Sequence, residues 1–189
     1  IEGNWYANDF SGLTPPWDSN MVYSPHKYWS ENYPADIQWV IDIRNAWNVP
    51  LWFGESGENS NVWFRDAIRL IEDHDIGWAW WPMKKLESIS CPMSVTKTVD
   101  FQNLLDYWSG GSGQPSASYT ISTLNQLTED LKLENCHYQK DVIDAMFRQV
   151  NSNETLPFDS IAEIPGRIFA TDFDLGVVGE AYQLSLIHI

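Results

Sequence analysis

Short apolar runs separated by amphipathic stretches recur along the first part of this chain at a spacing that few folds accommodate. From Val22 to Trp52 is thirty positions and from Trp52 to Trp78 is twenty-six, the length of one strand, one helix and their connections in a parallel sheet or barrel. The runs are continuously apolar rather than alternating, as strands buried on both faces read. Strands are expected at residues 1–4, 21–24, 51–55 and 77–81. A helix starts near Pro34, a residue suited to a first turn, and sets Ile37, Val40 and Ile41 on one face. Another, with Asn61 as its N-cap, places Phe64, Ala67, Ile68 and Ile71 at i, i+3, i+4 and i+7. Residues 82–97 read as a loop, followed by a helix over 101–108.

The third run, Leu51-Trp52-Phe53-Gly54-Glu55-Ser56-Gly57, ends in a carboxylate. Alternation puts Leu51, Phe53 and Glu55 on one side, and the small residues after Glu55 let the chain turn away. A carboxylate at the C-terminal tip of a buried strand is where a (β/α)-barrel enzyme keeps its chemistry. A glutamate that faces water, or caps the helix beginning near Asn61, fits the same seven residues. The other strand ends bring Glu2 and Asn4, then His26 and Tyr28, then Trp81 and Lys84. In a barrel such tips converge on one mouth, and a mouth of tryptophan, tyrosine, histidine and a carboxylate suits sugars, whose C–H faces stack on aromatic rings. Trp78 and Trp80 alternate away from Trp81 and read as core. His74 reads as a solvated helix end, and Glu58 and Glu87 as surface acids.

Charge narrows the partners. A formal charge of −15 with a pI near 4.4 argues against nucleic acid, which such a surface repels. No stretch of eighteen apolar residues is present to span a membrane. All eleven tryptophans fall between Trp5 and Trp108, which puts a composition boundary at the Gly/Ser-rich residues 109–117. Cys91 and Cys136 lie on opposite sides of it. Pairing would close a loop worth roughly 4 kcal/mol in the chain-entropy model, and two free thiols fit equally. Neither cysteine has the neighbours of a zinc site. No metal ligands and no cofactor are expected.

The motifs His26-x-Tyr28, Gly54-Glu55-Ser56 and Trp80-Trp81-Pro82, in this order and preceded by Glu2-Gly3-Asn4, resemble glycoside hydrolase family 5, whose members include endoglucanases. The resemblance covers residues 1–108 and implies an α/β fold, strands five to eight of a (β/α)8 TIM barrel. It implies a retaining mechanism in which one carboxylate attacks the anomeric carbon and a second, about 5–5.5 Å away, protonates the leaving oxygen. Glu55 matches the nucleophile, with His26 and Tyr28 hydrogen-bonding around it. Trp81 matches the floor of the sugar site, and Asn4, Trp5 and Lys84 are further substrate-binding candidates. Lys84 pairing with an acid fits as well, and His26 alone would read as a structural histidine. The family's acid/base glutamate sits in an Asn-Glu pair that does not occur before Glu55, so it is expected upstream of Ile1. The implied parent is a secreted, monomeric hydrolase of β-glucan.

Residues 118–160 read as a helical extension. Helices are expected at 122–133 and 139–150, the second with a stripe of Val142, Ile143, Met146, Phe147 and Val150 that packs on the barrel's outside. Residues 161–184 resemble the truncated start of a family 6 carbohydrate-binding module, a β-sandwich. Such modules usually carry acidic residues where this chain has Phe169 and Thr171. Residues 185–189 resemble translated adaptor sequence, and both ends look cut. An isolated half-barrel is expected to be inactive and to associate through its open edges and an exposed interior layer that includes Phe53 and Val22. A non-catalytic carbohydrate-binding protein, with Glu55 only accepting a hydroxyl hydrogen bond, is the alternative reading. A structural β/α domain with an aromatic core is the third.

Overall fold

The structure, a computed structural model, describes residues 1–111, 113–158, 165–167, 169 and 172–182. It is a mixed α/β chain in two compact units. One comprises Ile1–Trp81 together with Lys140–Ile189, the other Pro82–Gln139. The Gly/Ser-rich residues 109–117 lie inside the second unit, so the composition boundary is not the unit boundary. The helical extension expected over 118–160 is divided between the two. Residues 161–164, 168, 170–171 and 183–184 of the expected binding module, and the whole adaptor-like tail, lie outside the described residues.

In the first unit, β1 (His26–Lys27) pairs in parallel with β3 (Glu55–Ser56), and β2 (Trp52–Phe53) pairs in parallel with β4 (Gly77–Trp78). Isolated parallel bridges at Tyr23↔Leu51 and Gly57↔Trp81 extend both ladders, and Ser24 N–H donates to the Ile1 carbonyl at 2.8 Å. Two helices connect these strands. The first, α1 (Pro34–Trp47), begins on its proline and ends at Asn48, whose φ of 50° is the left-handed conformation of a helix terminator. The second, α2 (Asn61–Glu72), is capped by the Ser60 hydroxyl, which accepts from Trp63 N–H at 3.3 Å. The expected cap, Asn61, instead donates its side-chain amide to Asp141 at 2.8 Å. The buried residues include Ile37, Val40 and Ile41 on α1 and Phe64, Ala67, Ile68 and Ile71 on α2, the faces their spacing predicts. Ile37, Val40, Ile41 and Ile71 pack on alternate strand residues, with Tyr23, Leu51 and Phe53 between 0 and 7 % exposed.

The register shows one extra residue in the third run. Tyr23 opposes Leu51 while His26 opposes Glu55, and Phe53 opposes Trp78 while Gly57 opposes Trp81. Three steps on either neighbour match four on the strand between them, which is a β-bulge. Burial shifts phase with it: Leu51 and Phe53 are buried, then Ser56 rather than Glu55. The expected alternation of Leu51, Phe53 and Glu55 on one side is therefore overturned. Phe53 is also not an open interior residue, since it is 1 % exposed beneath the helices. The face opposite the helices instead carries Val22 and Trp52, 37 % and 42 % exposed.

The Val142 stripe packs on α2. After a short helix, Lys140–Ile143, the backbone widens into a π-turn at Asp144–Arg148. Val142, Met146 and Val150 are four residues apart, and a widened turn keeps such a series on one face. They form a cluster with Phe64 and Ile68, while Phe147 is 57 % exposed. Arg69 closes the end, donating to the carbonyls of Gln149 at 2.7 Å and Val150 at 3.0 Å.

In the second unit the segment expected as a loop holds two strands. β5 (Lys84–Leu86) is parallel to β6 (Met93–Val95), which is antiparallel to β7 (His137–Tyr138). The short link between the parallel strands turns at Glu87, φ 49°, and folds over the fully buried Cys91. Helices α3 (Val99–Trp108) and α4 (Ala117–Asp130) are capped by Thr98 and Ser116. The Tyr119 hydroxyl joins them by donating to Asp100 Oδ1 at 3.0 Å. Cys91 and Cys136 are both free thiols.

Gly57 has φ 134°, and a Cβ there would lie 2.3 Å from the Trp81 carbonyl oxygen. Gly57→Ala should therefore lower stability by roughly 1–3 kcal/mol, read as a shift in the urea midpoint of tryptophan fluorescence. Gly113→Ala, where a Cβ meets nothing within 4 Å, should leave the midpoint in place.

Candidate active site

The bulge at Gly54 decides which side chains meet. Without it Glu55 would follow Phe53 under the helices; with it, Glu55 joins the face that carries His26 and Tyr28. Bulges beside sites commonly re-aim a side chain in this way. Gly54 suits the position because the chain passes close to Ser24, whose Oγ would lie 2.2 Å from a Cβ at residue 54.

Four side chains then form a row of close polar contacts. The Tyr28 hydroxyl donates to Glu55 Oε2 at 2.9 Å. His26 Nδ1 lies 3.4 Å from the same oxygen, and His26 Nε2 lies 3.3 Å from Glu2 Oε1. The imidazole thus stands between two carboxylates. The His26 backbone N–H donates to Asn8 Oδ1 at 3.0 Å, which fixes the ring's origin. Tyr28 is held protonated, because burial first and its bond to Glu55 second push the phenol far above its ordinary value. A phenol that keeps its proton remains a donor, and here it is aimed at Glu55 Oε2.

Glu55, His26 and Tyr28 line a cleft of about 530 Å³ whose walls include Tyr6, Trp29 and Glu58. Tyr6 and Trp29 are 79 % and 80 % exposed. Tyr6 belongs to a left-handed turn in which Trp5, Tyr6 and Ala7 have φ of 51°, 54° and 63°. Antiparallel bridges Gly3↔Ala7 and Asn4↔Asp9 hold this turn. Non-glycine residues adopt that conformation only when the surroundings impose it. Here the imposed turn sets two aromatic rings outward, with centroids 5.6 Å apart.

The remaining expected residues are distributed as follows. Trp81, 51 % exposed, is bridged to Gly57 and so stands beside the Glu55 strand, two residues past Glu55. Its neighbours Trp78 and Trp80 pack against the Phe64 cluster, on the helix side. Asn4 accepts from Trp5 N–H at 2.9 Å within the left-handed turn. Lys84 belongs to the second unit and donates to the Leu131 carbonyl. Among the described residues no group of three or more His, Cys, Asp or Glu side chains is arranged to hold a metal. Sequence reasoning passed over Asn8, Tyr6 and Lys27 and set Glu58 aside. Lys27 had a signal, since it falls in phase with the buried Tyr23 and Pro25.

No family model, curated protein or solved structure matches this chain.

Lys27 is 4 % exposed. Its Nζ donates to Ser30 Oγ at 2.6 Å and to the Glu31 carbonyl at 2.7 Å, and lies 5.4 Å from the Trp63 ring centroid. The Trp63 indole in turn donates to the Ser30 carbonyl at 2.9 Å. The loop that carries Tyr28 and Trp29 is thereby tied down from beneath. Burial pulls the ammonium from its ordinary 10.5 to about 8, against the opposing pull of Asp36 and Glu31. Below pH 8 the folded protein carries the full penalty of a buried charge, and between pH 8 and 10.5 that penalty is relieved, because the unfolded chain binds the extra proton. Stability should therefore climb over that window, by an amount on the order of 2 kcal/mol. Above pH 10 the raised phenols of Tyr28 and Tyr23 act in the opposite sense. Urea midpoints from pH 7 to 10 should rise for the parent chain and stay level for Lys27→Met.

Proposed function

We propose that this chain carries the nucleophile half of a retaining glycoside hydrolase acting on β-glucan, of endoglucanase type, with Glu55 as the attacking carboxylate. The observation that carries the reading is the pair of groups on Glu55 Oε2, the Tyr28 hydroxyl at 2.9 Å and His26 Nδ1 at 3.4 Å, at the wall of an aromatic cleft. A nucleophilic carboxylate must be fixed in direction before it can attack C1, and two neighbours on one oxygen favour that. They leave the second oxygen to approach the sugar.

The parallel strands with helices on one face support the (β/α)8 barrel half. The opposite face, with exposed Val22 and Trp52, takes the part of the barrel interior. Trp81, on the Glu55 side of its strand, takes the part of the sugar platform. Glu2 is separated from Glu55 by the His26 ring, which is the wrong arrangement for a retaining pair that must face each other about 5–5.5 Å apart. The acid/base carboxylate is accordingly assigned to sequence preceding Ile1, and the parent to the secreted, cofactor-free polysaccharide hydrolases.

A substrate whose leaving group needs no proton isolates the nucleophile. With 2,4-dinitrophenyl 2-deoxy-2-fluoro-β-cellobioside, the Glu55 carboxylate should bond to C1 as dinitrophenolate departs, leaving a stable ester. Mass spectrometry should find one adduct, on the Glu55 peptide, and none in Glu55→Gln. An adduct elsewhere, or equal labelling of the variant, would remove Glu55 from the role. Trp81→Ala should slow labelling by the equivalent of about 1–3 kcal/mol; an unchanged rate would place the sugar platform elsewhere.

A further inference from the structure

The cleft at Glu55 does not end at its far wall. Asn8 and Trp39, which form part of that wall, also line a second, shallower concavity of about 380 Å³ between residues 9–14 and the outer face of α1. Trp39 and Trp47 stand along it, 38 % and 42 % exposed, with Asp42 between them on the helix. Trp39 leans on Phe10, with ring centroids 6.2 Å apart and planes tilted 33°, and Phe10 is a core residue only 5 % exposed. The indole is supported on one side and open on the other. A ring already fixed loses little rotamer freedom when a flat apolar surface stacks on it.

Polar groups surround these rings. Asp9, Asp42, Ser11 and Thr14 line the concavity, and no lysine or arginine stands among the lining residues. With a formal charge of −15 on the chain, a polyanion is repelled. An aliphatic peptide face would bury the carboxylates against groups that cannot hydrogen-bond them. A neutral chain with apolar faces and hydroxyl edges answers both demands. The first concavity supplies the direction: the shared Asn8 also holds the His26 backbone, so the two surfaces join at the site itself.

Resting on the carbohydrate reading above, we propose that the ligand is a long neutral glucan whose chain passes from Glu55 over Trp39 and continues along α1 to Trp47. Trp39 and Trp47 then set a preference for chain length, and the site favours internal positions of a polymer over short oligosaccharides. Calorimetric titration of the 189-residue chain with cellotriose and with cellohexaose tests this. Cellohexaose should bind about tenfold more tightly, as for a single well-placed aromatic contact. Trp47→Ala should erase that gain while leaving cellotriose affinity unchanged. Ala46→Arg should do the same, because Ala46 is exposed on α1 and an arginine there fills the track while keeping both indoles and the core. Equal affinities in the parent chain, or a gain that survives both variants, would overturn the track. Failure to bind either sugar would overturn the carbohydrate reading itself, and the track with it.

Discussion

One inserted residue governs the chemistry available to this chain. Strands of a β/α unit have a helix-facing side and an open side, and period-two alternation assigns every residue to one of them. In strict alternation Glu55 shares the side of Leu51 and Phe53, a desolvated layer in which an ionised carboxylate without partners is untenable. The bulge reverses the assignment from Glu55 onward. Ser56 takes the buried place, and Glu55 arrives on the side that Tyr28 and His26 already occupy, because their own strand keeps its phase. Gly54 and Gly57 bracket the insertion, and both have neighbours so close that a Cβ would collide. The motif Gly-Glu-Ser-Gly is thus a backbone device first and a chemical one second.

The electrostatics around that carboxylate follow from the same placement. Glu55 sits in a strongly acidic chain, yet the groups nearest its Oε2 are a phenol that burial keeps protonated and an imidazole shared with Glu2. A phenol and an imidazole, rather than arginine or lysine, stand against it. Such partners orient the oxygen without the bidentate grip that would occupy both of its atoms. The one buried cation nearby, Lys27, is turned to the other side of its strand and spends its donors on the backbone and hydroxyl of its own loop. Its contribution to the site is mechanical, since it seats the residues that bring Tyr28 forward.

Much of this was legible before any coordinates. The helix faces over 34–47 and 61–72 were readable because each depends on a local period and a local stop signal. Glu55, His26 and Tyr28 were readable as a group because strand ends collect in one place when strands are parallel. The phase of Glu55 was misread, since a bulge is visible only in the register of two neighbouring strands, and register is not a local property. The strands at 84–86 and 93–95 were taken for loop because they are three residues long and mix lysine with methionine. The Gly/Ser-rich residues 109–117 lie inside the second compact unit. A Gly/Ser-rich stretch marks a turn between helices as readily as a link between units, and the return of residue 140 to the first unit is a long-range contact.

That return has an entropic consequence. The chain leaves the first unit after Trp81 and re-enters it at Lys140, and the cluster of Val142, Met146 and Val150 on Phe64 and Ile68 forms only when the intervening segment has brought its ends together. Closing so long a connection is entropically expensive if the segment is a random coil, although each doubling of its length adds only about 0.6 kcal/mol. A segment with its own sheet and helices has already surrendered most of that freedom. The second unit's own sheet and helices therefore lower the closure entropy that covering α2 with this cluster requires.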